Sequence, residues 1–132
     1  MKPNKYISLA LRFVAAIIML QTLYFKFSGA PESIYIFTRV GIEPWGRIGT
    51  GVAELIASAL LLIPATVALG ALLAFGIMLG ALATHLLILG ISVENDGGLL
   101  FTYALIVLIA SLLLLVMHRD QLMALKTRIS QR

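Results

Sequence analysis

The sequence predicts an all-α fold: an integral membrane bundle of four helices, with a short interfacial helix between the first and second. Three observations predict it. The 132 residues are 61% hydrophobic and only 12% charged, with a mean hydropathy of +1.03. A soluble domain of this length cannot hide so much apolar surface, so lipid must cover it. From Ile48 to Val93 the only ionisable side chains are Glu54 and His85. One unbroken helix there would run about 70 Å at about 1.5 Å per residue, more than twice a hydrocarbon core of about 30 Å. Pro64 breaks the run, because it lacks a backbone donor and disfavours helix in the residue before it. A tight hairpin at Pro64, Ala65 and Thr66 then leaves spans at about residues 6–27, 45–63, 67–89 and 98–117, in one transmembrane domain covering 1–132 with no soluble domain.

The formal net charge of +4 does not point to nucleic acid, because of where the charges lie. Lys2, Lys5, Arg12, Arg119, Lys126, Arg128 and Arg132 flank the termini, whereas Lys26, Arg39 and Arg47 occupy the first connection. That imbalance predicts a multi-pass protein of the cell membrane with both termini in the cytoplasm and connections 1–2 and 3–4 outside. Cysteine is absent, which excludes a disulfide framework, a thiol relay and a cysteine-ligated metal for this chain.

The first span begins like a signal peptide, with Lys2 and Lys5, an apolar run and the small residues Ser28-Gly29-Ala30. Pro31 is a poor residue just after a cut, so the segment is expected to stay as helix 1. Arg12 lies about 9 Å inside its start and is expected to snorkel to the cytoplasmic headgroups. Gln21 and Tyr24 approach the outer end, where Lys26 closes the helix; Gln21 suits an interhelical hydrogen bond or a ligand contact. Residues 31–40, PESIYIFTRV, are too short to span and too apolar to float free. Pro31 and Glu32 suit a first helical turn, Gly41 suits its end, and the segment either caps the bundle or lies on headgroups.

Helix 2, WGRIGTGVAELIASALLLIP, starts at the interfacial anchor Trp45 and carries Glu54 in its middle. An ionisable group there costs about 2.5–3.5 kcal/mol on insertion scales, so it faces the bundle interior and is kept for a purpose. Arg47, Thr50, Glu54 and Ser58 share its face on a 3.6-residue period. In helix 3, Gly76, Gly80 and Thr84 form a small-xxx-small face expected to pack tightly within the bundle rather than to dimerise, with His85 one residue beyond. The connection SVENDGG reads as a solvated turn, its acids too few for a calcium loop. Helix 4 has Thr102 and Tyr103 near its outer end, and residues 118–132 form a basic amphipathic tail suited to anionic lipid.

With helices 1 and 3 running outward and 2 and 4 inward, these polar residues fall in the outer half of the membrane, and the inner half holds almost none. The pocket they imply opens outward and is not a through-pore, which would need polar groups at every depth. Glu54 and His85 are its natural pair, with Lys26, Arg47 or a protonated His85 available to neutralise the carboxylate, and Gln21, Thr50 and Tyr103 completing the candidate ligand site. Such a site suits a small amphipathic molecule such as a quinone, handled through protons at Glu54 and His85. The alternative is a hydrogen-bonded network that only fixes packing, in a non-catalytic scaffold or assembly factor. Haem would need two histidines that meet, whereas His118 lies at the face opposite His85; a metal held by Glu54, His85 and Asp96 would have ligands at different depths. No metal is therefore assigned.

Taken together, LQTLYFKFSGA ending helix 1, GTGVAEL in helix 2, the Leu-rich run ending in proline, GIMLGALATHL with its histidine, and DGGLLF entering helix 4 resemble the DoxX family of small four-helix membrane proteins. The resemblance covers nearly the whole chain. It implies a membrane four-helix bundle and an association with redox chemistry, since the family is named for a subunit of a thiosulfate-oxidising, quinone-reducing membrane complex. On that resemblance Glu54 and His85 match polar positions inside helices 2 and 3, and Lys26 matches the basic end of helix 1. The partners it suggests are membrane lipid, a small amphipathic ligand and a membrane or secreted redox protein.

Overall fold

A computed structural model describes residues 4–131; Lys2 and Arg132, which entered the charge argument, lie outside the described residues. Its helices are α1 (Lys5–Ser28), α2 (Pro31–Val40), α3 (Trp45–Leu62), α4 (Val67–Thr84), α5 (Leu99–Met117) and α6 (Arg119–Ser130). A 3₁₀ turn at Pro64–Thr66 precedes α4, and a π-helical turn at His85–Leu89 extends it. Four segments, Lys5–Ser28, Trp45–Leu62, Pro64–Leu89 and Leu99–Met117, are long and apolar enough to cross a bilayer. They form a ring in which α1 packs on α3, α3 on α4, α4 on α5 and α5 on α1. The protein is a helical, multi-pass membrane bundle with the expected short helix α2 between the first two spans.

Local chemistry sets the ends of these elements. The Asn4 side chain accepts from the amides of Tyr6 (3.0 Å) and Ile7 (3.2 Å), which starts α1. Pro31 occupies the first turn of α2, and Gly41, at φ 86°, ends it with its amide on the Phe37 and Thr38 carbonyls. Pro64 offers no amide to the end of α3, so that helix needs other donors. Thr66 Oγ1 reaches the Leu60 carbonyl at 2.8 Å, Arg12 Nε the Leu61 carbonyl at 2.6 Å, Arg12 Nη2 the Leu62 carbonyl at 3.0 Å, and the Thr66 amide the Ile63 carbonyl at 3.1 Å. Each carbonyl of that turn is satisfied without water, as an apolar environment demands.

Arg12 therefore does not snorkel. It is 9% exposed and caps α3, because the carbonyls freed by Pro64 lie beside it and bind a guanidinium fork better than distant headgroups can. Gln121 of α6 does similar work next door, accepting from the Ala68 amide at 3.0 Å and donating to the Pro64 carbonyl at 2.9 Å. Ser8 and His118 join at 2.7 Å between Ser8 Oγ and His118 Nε2. Burial and the nearby Arg12 hold His118 below the usual imidazole range, so the neutral ring can accept the Ser8 hydroxyl.

These ties place both ends of the described chain, the α3–α4 turn and α6 at one end of the bundle, here the termini end. At the other, the α2 end, lie α2 and residues 90–98. Met19, Ala57, Leu61, Ala71, Val107 and Leu114 belong to a dry core that fills the termini half. Gly70 sits in that packed part: a Cβ there would lie 2.7 Å from the Leu61 amide nitrogen and 3.0 Å from the Ala57 carbonyl. The expected tight packing of Gly76 and Gly80 is not found. Both are exposed, and nothing lies within 4 Å of a Cβ built at either. The close approach uses Gly70 instead, because α3 and α4 meet nearest the turn that joins them. Gly70→Ala is expected to cost about 1–3 kcal/mol by overpacking, whereas Gly76→Ala should gain up to about 1 kcal/mol of helix propensity. Thermal unfolding in detergent distinguishes the two.

Candidate functional site

Above the core, toward the α2 end, the helices enclose an open cavity of about 760 Å³ lined by all of α1 to α5. Its floor includes Met19, Met78 and Ala104; α2 crosses its mouth, contributing Ser33, Ile36 and Phe37. The packed core separates it from the termini end, in keeping with a one-sided pocket and not a pore. Of the residues the sequence nominated, Gln21, Lys26, Thr50, Glu54, His85 and Tyr103 line this cavity. Arg47 does not. Its Nε pairs with Glu43 at 3.0 and 3.1 Å and its Nη1 donates to the Lys26 carbonyl, so it fastens the start of α3 to the end of α1.

Glu54 is 3% exposed, and its partners come from α1. Lys26 Nζ lies 2.9 Å from Glu54 Oε1, and Thr22 Oγ1 lies 3.0 Å from Oε2. Lys26 Nζ also donates to Thr22 Oγ1 at 3.3 Å, while the single Thr22 hydroxyl hydrogen is shared between Glu54 and the Met19 carbonyl at 2.8 Å. Ser58, on the same face, spends its hydroxyl on the Glu54 backbone carbonyl at 2.8 Å. The expected pairing of Glu54 with His85 is therefore not a direct contact among the described residues: both line one cavity, but Lys26 neutralises the carboxylate. Thr22 escaped the sequence reading although it lies four residues before Lys26, on the face that also carries Met19.

His85 sits where α4 widens into its π turn, closed by a 2.6 Å bond from the Gly90 amide to the His85 carbonyl. Its Nδ1 lies 3.0 Å from the Gly90 carbonyl. A carbonyl can only accept, which assigns the hydrogen of the neutral ring to Nδ1 and makes Nε2 an acceptor. The ring is held edge-on to Phe101, with centroids 5.7 Å apart. Among the described residues none bonds Nε2 and no buried side-chain polar atom lacks a partner, so Nε2 is accessible, on a residue that lines the cavity.

Acidic residues rim the α2 end. Asp96 Oδ1 accepts from the amides of Val93 (3.0 Å) and Gly98 (2.8 Å), and Oδ2 from Leu100 (3.2 Å), which fixes the turn into α5. Burial pushes this carboxyl up, but the amides of Val93, Gly98, Leu100 and Leu99 outweigh it and hold it below the usual aspartate range. Burial, Asp96 and Glu94 raise Glu32 above the usual glutamate range. A raised acid is neutral in both states at low pH and penalises the folded state once the pH passes its ordinary value. Glu32→Gln is therefore expected to unfold at a higher temperature than the parent at pH 7, with the difference vanishing at pH 3.5 or below. Among the described residues, no group of three or more His, Asp and Glu side chains could hold a metal ion.

The sequence profile of the DoxX-like family matches residues 10–117, which is most of the chain and takes in every residue named at the cavity. No curated protein and no solved structure matches it.

Proposed function

The chain belongs to the DoxX-like family, and we propose that it is a redox-associated membrane protein that binds a quinone-like or other lipid amphiphile in the cavity beneath α2. The observation that carries this reading is His85, nine-tenths buried with Nδ1 committed to the chain and Nε2 free to the cavity. An acceptor so placed suits a ligand hydroxyl, as a hydroquinone or a hydroxylated lipid would offer. Lys26 complements it: two of its three hydrogens go to Glu54 and Thr22, which leaves one for a ligand oxygen. The volume falls within the ordinary range for small-molecule sites, about 300–1,000 Å³, and the walls are mostly apolar with a few convergent polar groups.

In this reading His85 takes and returns a ligand proton, while Glu54 fixes the Lys26 ammonium. Gln21, Thr50 and Tyr103 orient the head of the molecule. The basic residues Lys5, Arg119, Lys126 and Arg128 favour the cytoplasm for the termini end, with α6 on anionic headgroups. The cavity then faces the outer leaflet, where a membrane or secreted redox protein would meet it. A nanodisc titration with a benzohydroquinone tests the assignment. Wild type should bind it, and His85→Phe, which removes the acceptor, should weaken binding about tenfold, the worth of about 1.4 kcal/mol. Equal affinities would remove His85 from the site.

One observation favours the second reading, a scaffold or assembly factor: both Glu54 oxygens are already satisfied, so this network could serve packing alone. The readings separate on a variant that keeps the fold and loses the charges, Lys26→Met/Glu54→Leu.

A further inference from the structure

We propose that the ligand carries a hydrocarbon chain, and that this chain leaves the cavity sideways into the bilayer through a gap between α3 and α4 kept open by Gly49, Gly76 and Gly80. The inference rests on the reading of the cavity as a ligand site and adds the shape of the ligand and its route. Near their connecting turn the two helices touch, with Gly70 against Ala57 and Leu61. Continuing that antiparallel register toward the α2 end brings Ala53 level with Gly76 and Gly49 level with Gly80. All three glycines line the cavity, all three are exposed, and nothing lies within 4 Å of a Cβ built at any of them. The space over these glycines is open.

The position of these glycines on their helices says where the gap leads. On α3 the exposed stripe through Trp45, Val52 and Ile56 includes Gly49, and on α4 the exposed stripe through Leu72 and Leu79 includes Gly76. Each glycine thus stands where the cavity wall meets the lipid-facing surface. Their helical backbone does not require glycine, and helix propensity disfavours it. What a side chain at these positions would do is fill the gap. On the other side of the chamber, between α1 and α5, the lining positions carry Gln21, Phe25, Leu99 and Tyr103, which leave no comparable side-chain-free slot. His85 supplies the independent sign of a ligand at the inner end, a buried ring whose Nε2 has no partner among the described residues. A head held at His85 and a chain passing the glycines would place one molecule half in the protein and half in the membrane.

Two probes with one head test this: a benzohydroquinone bearing a decyl chain, and the same ring without it, titrated into nanodiscs with affinities referred to the probe concentration in the bilayer. Wild type should prefer the chain-bearing probe. Gly76→Leu and Gly80→Leu should each weaken it at least tenfold and leave the chainless ring within twofold; Gly80→Val, a smaller plug, should fall between. The side chains enter open space on helical backbone, so the folds should hold, which thermal unfolding checks. Unchanged binding of the chain-bearing probe in both leucine variants overturns the route. Equal weakening of both probes overturns it too, since the glycines would then face the head. If wild type binds both probes equally, the chain has no groove although the cavity site stands; if it binds neither, the site itself fails and the route with it. A second copy of the chain seated on these glycines would instead make the leucine variants monomeric by native mass spectrometry with probe binding unaltered, and that also overturns the proposal.

Discussion

Lys26→Met is expected to destabilise the bundle by about 3–5 kcal/mol, read as a lower unfolding midpoint in detergent, because it leaves the Glu54 carboxylate buried without its cation. The side chain of Glu54 is 4% exposed and that of Lys26 16%, so water can do little to replace the lost partner. Thr22 would remain, but one hydroxyl whose hydrogen is shared with the Met19 carbonyl does not neutralise a carboxylate. The double variant Lys26→Met/Glu54→Leu should recover most of that loss, since a buried pair exchanged for apolar side chains is often neutral or better. This variant also separates the two readings of the site. A scaffold would keep its stability and its partners without the pair, whereas a ligand site would fold and stand empty.

Arg12→Leu should be the second large loss, about 3 kcal/mol, from removing two charge-assisted hydrogen bonds to the Leu61 and Leu62 carbonyls. The bond to Leu61 is buried and that to Leu62 partly buried, and Pro64 offers no amide in exchange. Arg12→Lys should restore only part of the loss, because an ammonium is a point charge and cannot fork across two successive carbonyls. If Arg12 merely reached for headgroups, the leucine variant would lie within about 0.5 kcal/mol of the parent. Thermal unfolding in one detergent across the three proteins decides the matter.

Periodicity and punctuation made the bundle legible. Pro64 marked the α3–α4 turn, Pro31 and Gly41 bounded α2, and a carboxylate inside an apolar span marked Glu54 as facing inward. These signals are local, carried by residues within a turn or two of one another. The partners of those residues were less legible, because they depend on which helices are neighbours and at what height they cross. Lys26 reaches Glu54 because α1 packs along α3, while His85, on α4, spends one nitrogen on Gly90 in a π turn that a 3.6-residue period does not contain. Arg12 and the glycines follow the same rule. A helical wheel puts Arg12 near one end of a span and Gly76 and Gly80 on one face, but only the packed structure shows that a Cβ at Gly70 would meet α3 whereas one at Gly76 or Gly80 would meet nothing.

In the proposed function the chamber above Met19 and Met78 holds a specific amphiphile through His85 and the Lys26–Glu54 pair. Mass spectrometry of small molecules retained after gentle detergent purification tests it most directly, with wild type run beside Glu54→Gln and Lys26→Met/Glu54→Leu. One defined quinone or lipid is expected in near-stoichiometric amount in wild type, and it should be lost from variants that are still folded. The same bulk membrane lipids in all three samples, with no defined molecule in any, would contradict it.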